Sequence, residues 1–434
     1  MRMKILAITV LLGLITVLTG LSSGDAETSA QDKGIHGYSV ACFDTSVITY
    51  DNFGDGIDEN SVFEFGSCGK TVAASIALRL VDENKISLDD KIKPFLDPGL
   101  ITDDERMNDI TLRQLLCHTA GFSPSYELGV DKKIYSDPGS GFRYSGVGYI
   151  YLQSVIENVT GESLEMAAKH YVFDQLGMKN STFEYKETVT PYINLSQVTL
   201  YAFVVFIAAF AVLFLIAFVV GKITKFKWYS FETGTLVSFV LAGIINIIAL
   251  LAIMSKVTIV FAVYFVLAGA FLFATRKKKM LFRIVIPVVT AVILIAGFTV
   301  PASIPVTGDL IHKDANCAYT LRSTTHDMSL FFRSLMNRYE SGTKATKEMF
   351  TPQVATDGDN SWGLGIAIES YEDRNTYWHS GINPGFQSLF VIYPSKQKFI
   401  VVATNSDNGL EFAKERAWHY LGVNGKWDIV RNQI

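Results

Sequence analysis

Residues 62–70 read Val62-Phe63-Glu64-Phe65-Gly66-Ser67-Cys68-Gly69-Lys70, a short apolar strand running into an amphipathic helix that continues to about Glu83. A serine in the first turn of a helix feels the positive end of the helix dipole. A lysine three positions on lies on the same helical face, one turn away. Stripped of water, such a lysine loses its proton more readily and can activate the neighbouring hydroxyl as a nucleophile. Spacing alone is not selective, because Ser341-Gly-Thr-Lys344 and Ser395-Lys-Gln-Lys398 share it. Those two fall in a polar loop and a turn with no helix expected to follow, so Ser67 and Lys70 form the pair whose context carries chemistry.

Outward from this point, further motifs follow in order. Ile86-Ser-Leu-Asp-Asp-Lys91 comes next, then Ile110-Thr-Leu-Arg-Gln-Leu-Leu-Cys-His-Thr-Ala-Gly-Phe122, Asp137-Pro-Gly-Ser-Gly-Phe-Arg-Tyr-Ser-Gly146 and Gln175-Leu-Gly-Met178. Much further on stand Ser323-Thr-Thr-His-Asp327, Trp362-Gly-Leu-Gly365 and His379-Ser-Gly-Ile-Asn-Pro-Gly-Phe386. Together with residues 65–70 this series resembles the beta-lactamase-related serine hydrolases, which include class C beta-lactamases, low-molecular-weight penicillin-binding proteins, D-aminopeptidases and certain esterases. The resemblance implies Ser67 as the acylated nucleophile, Lys70 as its proton acceptor and Tyr144 as the proton shuttle to the leaving group. His379 stands where other members carry the lysine of Lys-Thr-Gly, to meet a substrate carboxylate or to assist Tyr144. The backbone N–H groups of Ser67 and Ile382 would form the oxyanion hole, and Ser380, Gly381 and Gly146 would line the substrate. His118 reads as a structural brace for its loop. One departure stands out: the family usually has asparagine two residues after the tyrosine, and here that position is Gly146. Losing that amide weakens the case for beta-lactams or D-alanyl peptides and favours an ester or another amide.

Between the two groups of motifs lie four stretches without a charged residue, 198–220, 233–255, 257–275 and 284–304. Each is about long enough to cross a bilayer core as a helix. The connections after the first and third carry Lys222, Lys225 and Lys227, and Arg276, Lys277, Lys278, Lys279 and Arg283, whereas only Lys256 separates the second from the third. Basic loops stay in the cytoplasm, which puts both flanking parts outside. The start of the chain agrees: Met1-Arg-Met-Lys4, an apolar run and then small and acidic residues form either a cleaved signal peptide or an uncleaved anchor. The expected organisation is a signal or anchor over 1–30, a first catalytic part over 31–197, four transmembrane helices over 198–304 and a second catalytic part over 305–434.

Strand patterns fall at residues 38–42, 46–50, 62–65, 362–368, 377–380, 388–393 and 399–404, with helical periodicity over 325–337. These patterns lead to an expected α+β fold, an antiparallel sheet from both chain ends flanked by helices, with a helical subdomain and the inserted membrane bundle; the resemblance implies that it is beta-lactamase/transpeptidase-like. Of 434 residues 49% are hydrophobic and 18% charged, an excess confined to the apolar stretches. The net charge of -4 and the lack of a basic patch argue against nucleic acid. Cys42, Cys68, Cys117 and Cys317 lack metal-ligand spacing; Cys68 and Cys117 are candidates for a disulfide or for buried thiols. No cofactor or metal is called for. The expected partners are a small-molecule or peptide substrate near the membrane surface and the lipid bilayer. Competing readings are an esterase with the same residues, a ligand-trapping sensor, a non-catalytic binding protein, and a transporter, the last opposed by spans without charge.

Overall fold

A computed structural model describes residues 30, 33–124, 130–194, 303–305, 314–358, 360–371 and 374–428. Its strands in chain order are β1 (Tyr38–Asp44), β2 (Val47–Phe53), β3 (Phe63–Gly66), β4 (Tyr192–Asn194), β5 (Ser303–Pro305), β6 (Leu321–Ser323), β7 (Val354–Ala355), β8 (Asn360–Trp362), β9 (Ala367–Tyr371), β10 (Arg374–Asn383), β11 (Phe386–Tyr393) and β12 (Lys398–Thr404). Eight of them form one sheet in the order β2-β1-β12-β11-β10-β9-β8-β7, every pairing antiparallel. The N-terminal hairpin thus completes a sheet otherwise made from the C-terminal end, as the strand patterns predict.

The central strands read as continuous apolar runs because both faces are covered. On one face Phe332, from helix Thr325–Ser341, lies tilted 4.2 Å from Phe390, and Phe399 stacks 4.9 Å from Phe43. On the other face Tyr38 meets Phe412, from helix Gly409–Leu421, at 4.7 Å. A helix over Gly69–Asp82 follows β3 directly and is buried along nearly its whole length, which its small and branched apolar residues allow. It lies against the helical subdomain, whose longest element, Gly146–Thr160, starts on Ser145: the Ser145 Oγ accepts the Gly148 N–H at 2.8 Å. A capping box, Thr111 with Gln114, starts the short helix Leu112–Leu116 that leads to His118.

Two expectations change. The strand expected over 362–368 is a hairpin, because the Gly363 N–H bonds back to the Ile366 carbonyl at 2.8 Å and separates β8 from β9. Ser303 and Ile304, counted in the fourth apolar stretch, belong to β5, where Ile304 pairs with Ile193 and Ser303 with Asn194. The rest of the four expected spans lies outside the described residues; among the described residues no helix is long and apolar enough to cross a membrane. The pairing of β4 with β5 sets residues 192–194 beside residues 303–305.

Candidate active site

Ser67 sits at the step between β3 and the helix that opens at Gly69, half-buried, with Cys68 as the helix N-cap residue. Lys70, one turn on, is only 1% exposed. Its Nζ donates to the Ser67 Oγ at 3.0 Å and to the Ala318 carbonyl at 2.5 Å. The same nitrogen lies 5.2 Å from the Tyr144 ring centroid and 5.6 Å from that of Tyr149. Of the other two Ser-x-x-Lys matches, Ser341 ends one helix and Lys344 begins another, contrary to the expected loop; its hydroxyl bonds Asn337 at the surface.

Tyr144 immediately precedes the cap of the Gly146–Thr160 helix, and its hydroxyl lies 3.5 Å from His379 Nε2 on β10. The other ring nitrogen, Nδ1, is 2.7 Å from the Ser380 carbonyl. A carbonyl only accepts, so Nδ1 carries the hydrogen. In the neutral imidazole, Nε2 then offers its lone pair to the tyrosine hydroxyl. His379 is fully buried, with Trp362 edge-on at 5.4 Å.

His118 holds Tyr144 from the other side. Its Nδ1 accepts the Ser145 N–H at 3.1 Å, its carbonyl accepts the Arg143 N–H at 2.8 Å, and its ring lies 4.4 Å from Tyr144. Burial, and then the nearness of Lys70 and His379, holds its pKa well below 6.5. A neutral, positively twisted residue at φ 58° bracing the tyrosine loop matches the structural reading.

From His379 to Asn383, β10 pairs with β11 alone among the described strands, since β9 ends at the Ala367–Trp378 pair. Ile382, 40% exposed, lies on this open stretch. Gly381 is packed against β3: a Cβ there would fall 1.9 Å from the Phe65 carbonyl. Ser380 is nearly buried and contributes its carbonyl to His379. Gly146 opens its helix with its N–H on the Pro124 carbonyl at 3.1 Å and sends no side chain toward Lys70, whose second acceptor is Ala318 instead.

The beta-lactamase family model matches residues 24–192 and 299–424. The chain belongs to the beta-lactamase family. The two matched segments break off and resume beside β4 and β5. Among curated proteins this beta-lactamase family chain is 27% identical to penicillin-binding protein 4 of Amycolatopsis lactamdurans, over 30% of this chain and 38% of that protein. It is 25% identical to penicillin-binding protein 4* of Bacillus subtilis, over 38% and 41%. It is also 32% identical to a probable fimbrial assembly protein of Dichelobacter nodosus, over 26% and 33%. The chain thus spans less than half the length of these relatives. The fold is shared with the octameric penicillin-binding protein homologue from Pyrococcus abyssi, TM-score 0.59 at 17% identity over 91% of this chain and 75% of that one. A beta-lactamase/D-alanine carboxypeptidase from Pseudomonas syringae gives 0.58 at 13% identity, over 91% and 96%.

Sequence reasoning missed several groups that shape this beta-lactamase family site. Ala318 acts through its backbone, which leaves no trace in a side-chain pattern. Glu64, Arg322 and Asn383 are buried together, Glu64 bonded to Arg322 at 2.9 Å and to Asn383 at 2.7 Å. Charged residues inside two strands that bury every position were the available signal. No disulfide forms: all four cysteines are free, and Cys68 faces the His379 carbonyl and Ser388 rather than Cys117.

Proposed function

We propose that this chain is a membrane-bound serine hydrolase that forms an acyl-enzyme on Ser67 from an amide or ester. The observation that carries the reading is the buried Lys70 amine 3.0 Å from the Ser67 hydroxyl and 5.2 Å from the Tyr144 ring, whose hydroxyl meets His379. Ser67 Oγ attacks the substrate carbonyl carbon and its proton passes to Lys70 Nζ. The oxygen that gains negative charge is met by the N–H groups of Ser67 and Ile382, at about 3 kcal/mol for each such donor. Tyr144 Oη, oriented by its hydrogen bond to His379 Nε2, gives its proton to the leaving nitrogen or oxygen and takes back the one Lys70 Nζ has received from Ser67. Water then hydrolyses the Ser67 ester by the reverse relay. A buried His379 supports the role of assisting Tyr144 over that of meeting a carboxylate.

A carboxylesterase is the second reading, favoured by Gly146, which offers no amide to a peptide or beta-lactam side chain. The two separate on kcat/KM for a p-nitrophenyl ester, a D-alanyl-D-alanine peptide and a chromogenic cephalosporin. Turnover of any of them that Ser67→Ala abolishes supports the hydrolase. A folded protein that turns over none and takes no acyl label is a binding protein of the same fold.

The membrane part of the proposal has its own support. Three of the uncharged stretches and most of the fourth fall where the family match is interrupted, and β4 and β5 bring the two ends of that interruption together. Pro191 touches Gly385 in the turn that ends β10, so the open stretch of β10 lies near the point of departure. That arrangement suits a membrane-proximal or lipid-linked substrate, an extracytoplasmic catalytic domain and the bilayer as partner. Alkaline carbonate washing should leave the protein in the membrane fraction, and protease added to spheroplasts should digest the catalytic part. Release by carbonate would refute it.

A further inference from the structure

Glu64, Asn383 and Arg322 take no part in the proposed chemistry, yet they form a buried polar cluster beside it. Glu64 is 3% exposed and Arg322 2%. One Glu64 oxygen accepts from Arg322 Nη2 at 2.9 Å and the other from Asn383 Nδ2 at 2.7 Å; that amide also donates to the Tyr319 carbonyl at 3.1 Å. Arg322 Nη1 reaches the Glu184 carbonyl at 3.2 Å, and its Nε has no partner among the described residues. A buried ion pair is seldom more stabilising than apolar side chains of the same volume. Stability alone therefore does not account for it.

Its placement does. Asn383 follows Ile382 on β10, Glu64 stands three residues before Ser67 on β3, and Tyr319 follows Ala318, whose carbonyl holds Lys70. The β3–β10 seam is closed to contact distance: a Cβ on Gly66 would lie 3.1 Å from the Ile382 nitrogen and 3.2 Å from Asn383 Oδ1. We propose that Glu64 is a positioning residue that, through Asn383, sets the separation of the Ser67 and Ile382 N–H groups and steadies the carbonyl facing Lys70. Burial raises the Glu64 carboxyl above its ordinary range, with Arg322 and Asn383 opposing the shift; as a carboxylate it accepts from both donors at once, through charge-assisted bonds that are short and directional. The inference rests on Ser67 being the nucleophile and on those two N–H groups meeting the oxyanion.

The test is Asn383→Ala, which cuts the link to β10 and leaves the Glu64–Arg322 pair intact. Fluorophosphonate labelling, and kcat and KM for a p-nitrophenyl ester, are measured beside wild type and Ser67→Ala, with thermal unfolding as the control. The expected result is kcat lower by about tenfold or more, KM within about threefold, and little change in Tm, as for a donor moved by a fraction of an ångström. A folded Asn383→Ala with wild-type kcat overturns the inference while leaving the hydrolase standing. Wild type without Ser67-dependent labelling overturns both. If Asn383→Ala does not fold, the near-isosteric Asn383→Asp serves. Among the described residues the charged group meeting Glu64 is Arg322, so the new carboxyl repels Glu64 unless the two share a proton. Its kcat relative to wild type should rise from pH 8 to pH 6; a ratio independent of pH contradicts the positioning role.

Discussion

Gly381→Ala puts the β3–β10 seam under direct strain. The added methyl would fall 1.9 Å from the Phe65 carbonyl oxygen, 2.8 Å from its carbon and 2.5 Å from Ser388 Oγ. Ser388 can rotate away, but the Phe65 atoms the methyl meets are backbone and cannot. Restoring an ordinary separation requires the strands to part by roughly 1 Å, a displacement that costs on the order of 10²-fold in rate when it reaches reacting groups. It does reach them here, because Phe65 lies two residues before Ser67 and Gly381 immediately before Ile382. Overpacking of this kind also costs about 1–3 kcal/mol of stability, or several degrees of Tm for a domain of this size. The assay is kcat and KM for an activated ester together with a thermal melt. Gly99→Ala, with no atom within 4 Å of the added methyl, is the control and should behave as wild type. A Gly381→Ala protein with unchanged kcat and Tm would refute the claim that this seam sets the site.

Two further outcomes follow from burial. His118 is held neutral when folded, whereas in the unfolded chain it takes a proton below about pH 6.5. Its contribution to stability is thus fully present above pH 6.5 and is lost as the pH falls below it, at up to about 1.4 kcal/mol per pH unit. Between pH 7 and pH 5 the wild-type Tm should fall further than that of His118→Asn; parallel declines would show that His118 is not buried as a neutral ring. Burial also pushes the thiols of Cys42, Cys68 and Cys317 up to about 12, and that of Cys117 upward. Ellman's reagent at pH 8 should react slowly with the native protein and with four thiols in urea, while fewer than four in urea would reveal a disulfide.

The elements of the site that were legible in the sequence are local ones. Ser67 and Lys70 are set by one strand-to-helix step, Tyr144 by the loop before a capped helix, and His379 by a strand running into a Pro-Gly turn, so a few adjacent residues suffice to mark each. The sheet was legible for a similar reason: β1, β11 and β12 carry apolar runs too short for helices. The hairpin at β8 and β9 was not, because Trp362-Gly-Leu-Gly-Ile-Ala-Ile368 is apolar throughout and the turn is made by a backbone bond. Glu64, Arg322 and Asn383 were missed because each is an isolated polar residue whose meaning lies in partners up to 319 positions away. Gly146 was noticed as a missing amide, but only the folded chain reveals the Ala318 carbonyl on Lys70.

The central claim is that Ser67 is a nucleophile activated by Lys70. Its most direct test is peptide mapping by mass spectrometry after reaction of the full-length, detergent-solubilised protein with a fluorophosphonate. The account predicts one phosphonate adduct, on the Ser67 peptide, absent from Ser67→Ala and formed far more slowly by Lys70→Ala. An adduct on another residue, or none on folded wild type, would contradict it.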